Sequence, residues 1–193
     1  MAASASAALP ATFTSAEARD LGLTRRQLRS LLERGDIERI ARGVYRRADA
    51  ELADFDLIEI VVKAPRATLC LTSALAEHGL TDTNPHEIDV ALPRGTWQPV
   101  TGAPVRWHQF AADTFDVGRG SLRVDADHEI GLYDAARSIV DAFRLRHAIG
   151  EDVAFEALRR WLRGGGRPAE LLRVANQLSG AQPALLRALQ VLG

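Results

Sequence analysis

Residues 24–35, TRRQLRSLLERG, have the pattern of an amphipathic helix with its own start and stop. Thr24 is a good N-cap, and Gln27 three residues later completes a capping box. Gly35 stands where a helix needs a left-handed residue to end. The apolar side chains recur at helical spacing and form one stripe for a core: Leu28, Leu31 and Leu32.

The flanking segments complete a larger motif. Thr14-Ser15 offers an N-cap for a shorter helix that Gly22 ends. Residues 37–47 contain two β-type runs around Ala41-Arg42-Gly43, where Gly43 suits a tight hairpin. Helix, glycine turn, helix and arginine-rich hairpin is the order of a winged helix-turn-helix. We predict this domain over residues 13–50, after a disordered tail of residues 1–12.

Charge is unevenly distributed along the 193 residues. Residues 15–47 contain nine arginines and five acidic residues, a net charge of +4 against −5 for the rest of the chain. A cationic module supplies the salt-dependent part of DNA affinity. The overall charge of −1 would not have suggested a nucleic-acid partner.

The helix of residues 24–34 is the predicted recognition helix. Arginine can hold guanine, and glutamine adenine, through two hydrogen bonds in the major groove. Hairpin arginines would hold the phosphate backbone or enter the minor groove. The candidate DNA-binding residues are Thr24, Arg25, Arg26, Gln27, Arg29, Ser30, Arg34, Arg42, Tyr45, Arg46 and Arg47.

Some of these residues have competing interpretations. The arginines could form only a solvated helix face, since Lys63 is the only lysine and arginine is this chain's usual cation. The capping box competes for the side chain of Gln27. Tyr45 could contact the DNA backbone or pack against the core.

Residues 51–193 are predicted to form a mixed domain, which makes the chain an α+β protein. Residues 54–64 suit a helix or a buried strand, and we favour the helix. A helix capped by Thr72 or Ser73 and stopped by Gly79 follows. Strands are expected at residues 87–92 and 105–110, with a third at 121–124, followed by helices at 132–147 and 151–163 and by helices starting near Pro168 and Pro183.

No catalytic constellation stands out, so no catalytic residue, cofactor or metal site is predicted. Residues 125–129, DADHE, contain metal-type ligands, and residues 86–89, HEID, could be half of a nuclease site. A metal-dependent nuclease is therefore the less favoured alternative. Cys70 lies in an apolar run and is expected to be a buried thiol.

A cytoplasmic protein without membrane association is expected, because no apolar run approaches the roughly 20 residues of a membrane span. Trp107 and Trp161 are expected in the core. Trp97 lies in a proline- and glycine-rich loop and is a candidate partner anchor, so a pure interaction module is a third interpretation.

The sequence resembles the AbiEi family, the antitoxins of AbiE type IV toxin–antitoxin systems. The resemblance runs through TSAEA at 14–18, GLT at 22–24, LLERGDIERI at 31–40 and RGVY at 42–45, then LTSALAEHGL at 71–80 and, more weakly, YDAARSIVD at 133–141.

The resemblance implies two domains and two partners. The N-terminal winged helix would bind inverted repeats in its own promoter and repress the operon. The C-terminal domain would counter a cognate nucleotidyltransferase-like toxin, with no catalysis of its own. A stand-alone regulator without a toxin is the alternative.

Overall fold

The computed structural model describes residues 9–51, 53–83 and 85–192. It divides them into two compact units. The first contains residues up to Pro65 together with Pro99–Ala103 and Arg123–Ile130. The second contains Arg66–Gln98, Pro104–Leu122 and the residues from Gly131 onward. The first unit thus extends past residue 50 and takes in two later segments of the chain.

The first unit is built from a small sheet and three helices in the described residues. Its elements are β1 (Thr12–Thr14), α1 (Ser15–Asp20), α2 (Arg25–Arg34), β2 (Ile37–Ala41), β3 (Val44–Arg47) and α3 (Phe55–Lys63). The strands are antiparallel in the order β1-β3-β2. The helix favoured for residues 54–64 is confirmed as α3.

The prediction of a disordered tail is wrong for residues 9–12, the part of it that the structure describes. Residues 1–8 lie outside the described part of the chain. Leu9 is buried and packs with Phe13 and Ile37, and Thr12 begins β1. The apolar residue at position 9 and the pairing of β1 with β3 account for this order, because burial and a strand ladder fix the backbone.

The second unit carries a mixed sheet with helices after it. Its elements are β4 (Thr68–Leu69), α4 (Leu71–Glu77), β5 (Ile88–Pro93), β6 (Val105–Phe110), β7 (Arg119–Arg123), β8 (Glu129–Tyr133), α5 (Ala135–Arg144), α6 (Arg146–Ile149), α7 (Glu151–Arg163), α8 (Pro168–Ala175) and α9 (Gln182–Leu192). In the described residues the strand order is β6-β5-β4-β8-β7. Residues 123–130, the β7–β8 turn with the adjoining strand ends, are counted with the first unit.

Helices α5 and α7 to α9 bury the larger apolar core of the second unit. Phe143 and Leu158 are fully buried there, and Trp161 packs against the same core as expected. Trp107 is half-buried on β6, whereas the side chain of Trp97 is 74% exposed.

Two local predictions in the second unit need correction. Residues 131–133 belong to β8, and the helix begins only after Asp134, whose side chain caps it at Arg137 N. The helix of residues 71–77 has Cys70 at its N-cap position and no side-chain cap, so neither Thr72 nor Ser73 caps it. Ser73 Oγ instead accepts a hydrogen bond from Asp89 N at 2.9 Å.

Candidate nucleic-acid interface

Helix α2 starts and stops as its sequence predicts. Thr24 Oγ1 accepts a hydrogen bond from Gln27 N at 3.3 Å, and Gln27 Oε1 accepts one from Thr24 N at 2.9 Å. Gly35 ends the helix with φ of 75°, a left-handed conformation that glycine adopts at little cost. The capping box therefore fixes the first turn of the helix and occupies the side-chain oxygen of Gln27, Oε1.

The apolar stripe of α2 fixes which face the helix turns outward. Leu31 is 2% exposed and packs with Phe13, Ala18 and Ile37. Leu28 and Leu32 lie beside it and are half-buried. The opposite side is consequently left to solvent.

Three arginines of α2 are exposed beside or opposite the apolar stripe, and we call Arg25, Arg26 and Arg29 the arginine face. Arg29 Nε donates to Glu33 Oε1 at 2.8 Å, but the two side chains are 81% and 62% exposed. An exposed i, i+4 pair of this kind contributes about 0.3–0.5 kcal/mol. The contact therefore leaves Arg29 free to change partners.

The end of α2 holds its polar side chains more tightly. Arg34 donates to Ser30 Oγ and to Asp36 Oδ2, each at 2.8 Å. Ser30 and Arg34 are both DNA-binding candidates from the sequence, and this hydrogen bond joins their side chains.

The hairpin of β2 and β3 places its candidates in different surroundings. Arg42 is exposed in the turn before Gly43, whose φ is 78°. Arg47 is half-buried and pairs with Asp49 at 2.6 Å. The ring of Tyr45 stacks on Phe13 with centroids 5.9 Å apart, which is the core-packing alternative for this tyrosine.

Arg46 does not lie on the surface, contrary to the sequence-based assignment. Its side chain is 2% exposed, and its NH1 donates to Asp125 Oδ2 and to Thr12 Oγ1, both at 2.9 Å. Its NH2 also donates to the carbonyl of Glu51. Since neighbouring residues of a strand face opposite ways, Arg46 shares the buried face of Val44, whereas Tyr45 and Arg47 face the other way. Arg46 is therefore a structural residue of the first unit.

Asp125 is the acceptor that makes this burial possible. The carboxylate is 3% exposed and also accepts from the backbone nitrogens of Asp127 and His128 and from His128 Nδ1, at 2.8–2.9 Å. Burial alone would raise the pKa of Asp125. Hydrogen bonds from Asp127 N, His128 and Thr12 outweigh it and hold the pKa below the ordinary 3.8.

The residues considered for an enzyme are likewise engaged in internal pairs. Asp89 accepts from His108 Nε2 at 2.8 Å, and Glu87 accepts from Arg106 at 2.7 Å. Within the described residues, no group of three or more histidine, cysteine or acidic side chains is arranged to hold a metal ion.

A buried ion pair in the second unit was not anticipated. Arg137 Nε donates to Asp141 Oδ2 at 2.7 Å, and both side chains are 0% exposed. Their i, i+4 spacing on α5 was visible in the sequence, inside the segment YDAARSIVD. Arg144 NH2 lies 2.9 Å from the other oxygen of Asp141, so the carboxylate has a cation on each oxygen where it is buried.

The arginine face lies in the part of the chain that matches a known family. Residues 8–48 match the family described as "Transcriptional regulator, AbiEi antitoxin". The match confirms the resemblance over those residues, which include β1, α1, α2 and the hairpin. The matched family is one of DNA-binding regulators and antitoxins. No curated protein matches the chain.

A solved structure resembles the chain over most of its length. The crystal structure of the RV2827C protein from Mycobacterium tuberculosis aligns with a TM-score of 0.62, covering 99% of this chain and 74% of that one. The two sequences are 16% identical, so the likeness shows the fold alone.

In the described part of the chain, none of the helices has the length and apolar character needed to cross a bilayer.

Replacing Asp125 should destabilise the first unit. In Asp125→Ala the Arg46 guanidinium stays buried without its carboxylate, which typically costs about 3–5 kcal/mol of folding free energy. Urea unfolding of Asp125→Ala should show this loss, and Asp116→Ala, whose partner Arg66 is 54% exposed, is the matched control. Equal effects of the two substitutions would contradict a structural role for Arg46.

Lowering the pH should remove the stabilisation that the Arg46–Asp125 pair gives to the folded state. Because the folded-state pKa of Asp125 is lowered, its stabilisation is complete above the ordinary pKa of 3.8 and is lost as the pH falls through the folded value. The difference in unfolding free energy between the parent protein and Asp125→Asn should therefore shrink below about pH 4. A difference that stayed constant down to pH 2 would argue against this ionised pair.

Proposed function

We propose that the chain is a DNA-binding transcriptional autorepressor and the antitoxin of a type IV toxin–antitoxin system. Its first unit acts as a winged helix-turn-helix, with α2 in the major groove and the β2–β3 hairpin as the wing. The observation that carries the proposal is the arginine face: three exposed guanidiniums on a capped helix whose other side is fixed in a core.

The residues divide into base readers and backbone contacts. Arg25, Arg26 and Arg29 lie in the first half of α2, the part of such a helix that reaches base edges. Ser30 and Arg34 support the far end of the face. Thr24 and Gln27 act chiefly by capping, since their side chains bond to each other. Gln27 retains its amide NH₂ for a base or phosphate.

The hairpin has a smaller role than its arginine count indicates. Arg42 is the exposed candidate for a phosphate or the minor groove. Arg47 can join it by leaving Asp49, whose side chain is 66% exposed. Tyr45 supports the hairpin through Phe13, and Arg46 supports it from inside.

The DNA partner proposed is the chain's own promoter, with two protomers on inverted repeats. Dimeric helix-turn-helix proteins read half-sites about one helical turn apart. Two monomers that meet only on DNA would satisfy the same operator.

Alanine substitutions on the arginine face should weaken specific binding without unfolding the protein. Arg25→Ala and Arg29→Ala should each cost about 1–3 kcal/mol on the duplex upstream of the gene, since a bidentate base contact has that value. Arg42→Ala should weaken specific and scrambled duplexes alike and reduce the salt slope by about 1. Fluorescence anisotropy across a salt series measures both effects.

Arg173→Ala is the control for this experiment, because Arg173 is an exposed arginine on α8. Equal, weak binding of the parent protein to both duplexes would identify the arginine face as a solvated surface. The pure interaction module would then be the better interpretation.

The toxin is the second proposed partner, a nucleotidyltransferase-like enzyme encoded beside this chain. This part of the proposal rests on the family resemblance and on the charge difference between the basic N-terminal segment and the acidic remainder.

Neutralisation should be separable from DNA binding. With the neighbouring gene expressed from an unrelated promoter, the parent chain and Arg25→Ala should restore growth equally, because repression is then irrelevant. Colony counts under induction measure the rescue, and an empty vector is the control. Failure of the parent chain to restore growth would favour the stand-alone regulator.

A further inference from the structure

A groove of about 650 Å³ opens beside the arginine face, in the first unit. Helices α1 and α2 form its sides, and Tyr45 of β3 contributes one wall. The residues that line it are Ser15, Ala18, Arg19, Gly22, Leu23, Thr24, Arg25, Leu28, Arg29, Leu32 and Tyr45.

The floor of the groove is apolar. Leu23, Leu28 and Leu32 are half-buried members of the first unit's core, and each leaves part of its surface in the groove. From Arg25 to Leu32 the floor runs about 10 Å along α2, at 1.5 Å per residue. Such a length suits a short apolar tail, and a docked helix of several turns would extend beyond it.

The rim of the groove is cationic. Arg19 of α1 and Arg25 and Arg29 of α2 line the groove, and all three are exposed. The first turn of α2 contains no acidic residue, so its positive helix end is uncompensated. Among the described side chains, Glu33 is the carboxylate that pairs with this rim, through the exposed contact to Arg29.

DNA binding does not account for the whole arrangement. Arg25 and Arg29 belong to the arginine face, but Arg19 lies on a different helix, and the leucine floor offers nothing to a phosphate backbone. An apolar cleft of a few hundred Å³ with a few convergent polar groups is the usual form of a small-molecule site. Guanidiniums are the side chains best matched to a carboxylate, which they can hold with two hydrogen bonds.

We propose that this groove binds a small amphipathic carboxylate, with the carboxylate held by Arg19, Arg25 and Arg29 and the apolar tail lying on Leu28 and Leu32. An occupant would neutralise two arginines of the arginine face. The ligand is therefore an effector that releases the protein from DNA, and this regulatory step rests on the proposed function.

Isothermal titration calorimetry with decanoate tests the site. Decanoate, kept below its micelle concentration at constant ionic strength, should bind saturably with one molecule per chain. Decanol, which lacks the charge, and acetate, which lacks the tail, should bind at least about tenfold more weakly, the factor that corresponds to 1.4 kcal/mol. Equal binding of decanol and decanoate would overturn the assignment of an anionic ligand.

Arg19→Gln is the discriminating variant, because Arg19 is exposed and is not among the residues assigned to DNA. It should weaken decanoate binding about tenfold, whereas Arg173→Gln should not change it. Leu28→Gln tests the floor independently, with thermal denaturation to check its fold. Decanoate binding that neither Arg19→Gln nor Leu28→Gln weakens would overturn the proposed site.

The regulatory step is measured by adding decanoate to the complex with the specific duplex. Anisotropy should fall for the parent protein and should require about tenfold more decanoate for Arg19→Gln. Absence of decanoate binding with intact sequence-specific DNA binding overturns this inference alone. Decanoate binding without any sequence-specific DNA binding overturns the proposed function and leaves the ligand site supported by calorimetry.

Discussion

The first unit depends on a buried ion pair, in which the guanidinium of Arg46 meets the carboxylate of Asp125. An arginine taken out of water is stable only where a carboxylate and further acceptors surround it. Asp125, Thr12 and the carbonyl of Glu51 provide them, and they come from three separate parts of the chain. This one requirement ties β1, β3 and residues 123–130 into the same unit.

Because Arg46 is buried, its charge does not contribute to the outer surface of the hairpin. The outward charge of the first unit is concentrated on α2, where the apolar stripe of Leu28, Leu31 and Leu32 turns the arginine face toward solvent. Under the proposed function, DNA affinity and sequence specificity are therefore both expected from this one short helix. A groove that shares Arg25 and Arg29 with that helix is well placed to influence both.

Short-range patterns predicted the elements on which the candidate site is built. The capping box of Thr24 and Gln27, the turn at Gly35 and the hairpin at Gly43 depend on neighbours within a few residues, and the structure has all three. Pairing between side chains that are far apart in the sequence could not be predicted from it. Asp125 lies 79 residues from Arg46, so DADHE looked like a metal motif instead of an ion-pair partner. The end of β8 was predicted to be helical because Leu132 continues the helical spacing of the apolar residues at 136, 139, 140 and 143. The alternation of Val44 and Arg46 on β3 was the one local indication that Arg46 faces inward.

The β7–β8 turn also bears on how this protein can be divided. A fragment ending near residue 50 would keep the arginine face and the whole segment that matches the family, yet it would lose Asp125. The Arg46 guanidinium would then have to draw water into the sheet or pull β3 away from β1. The segment that matches the family is therefore shorter than the unit that packs together, which is discontinuous in sequence and includes residues 123–130.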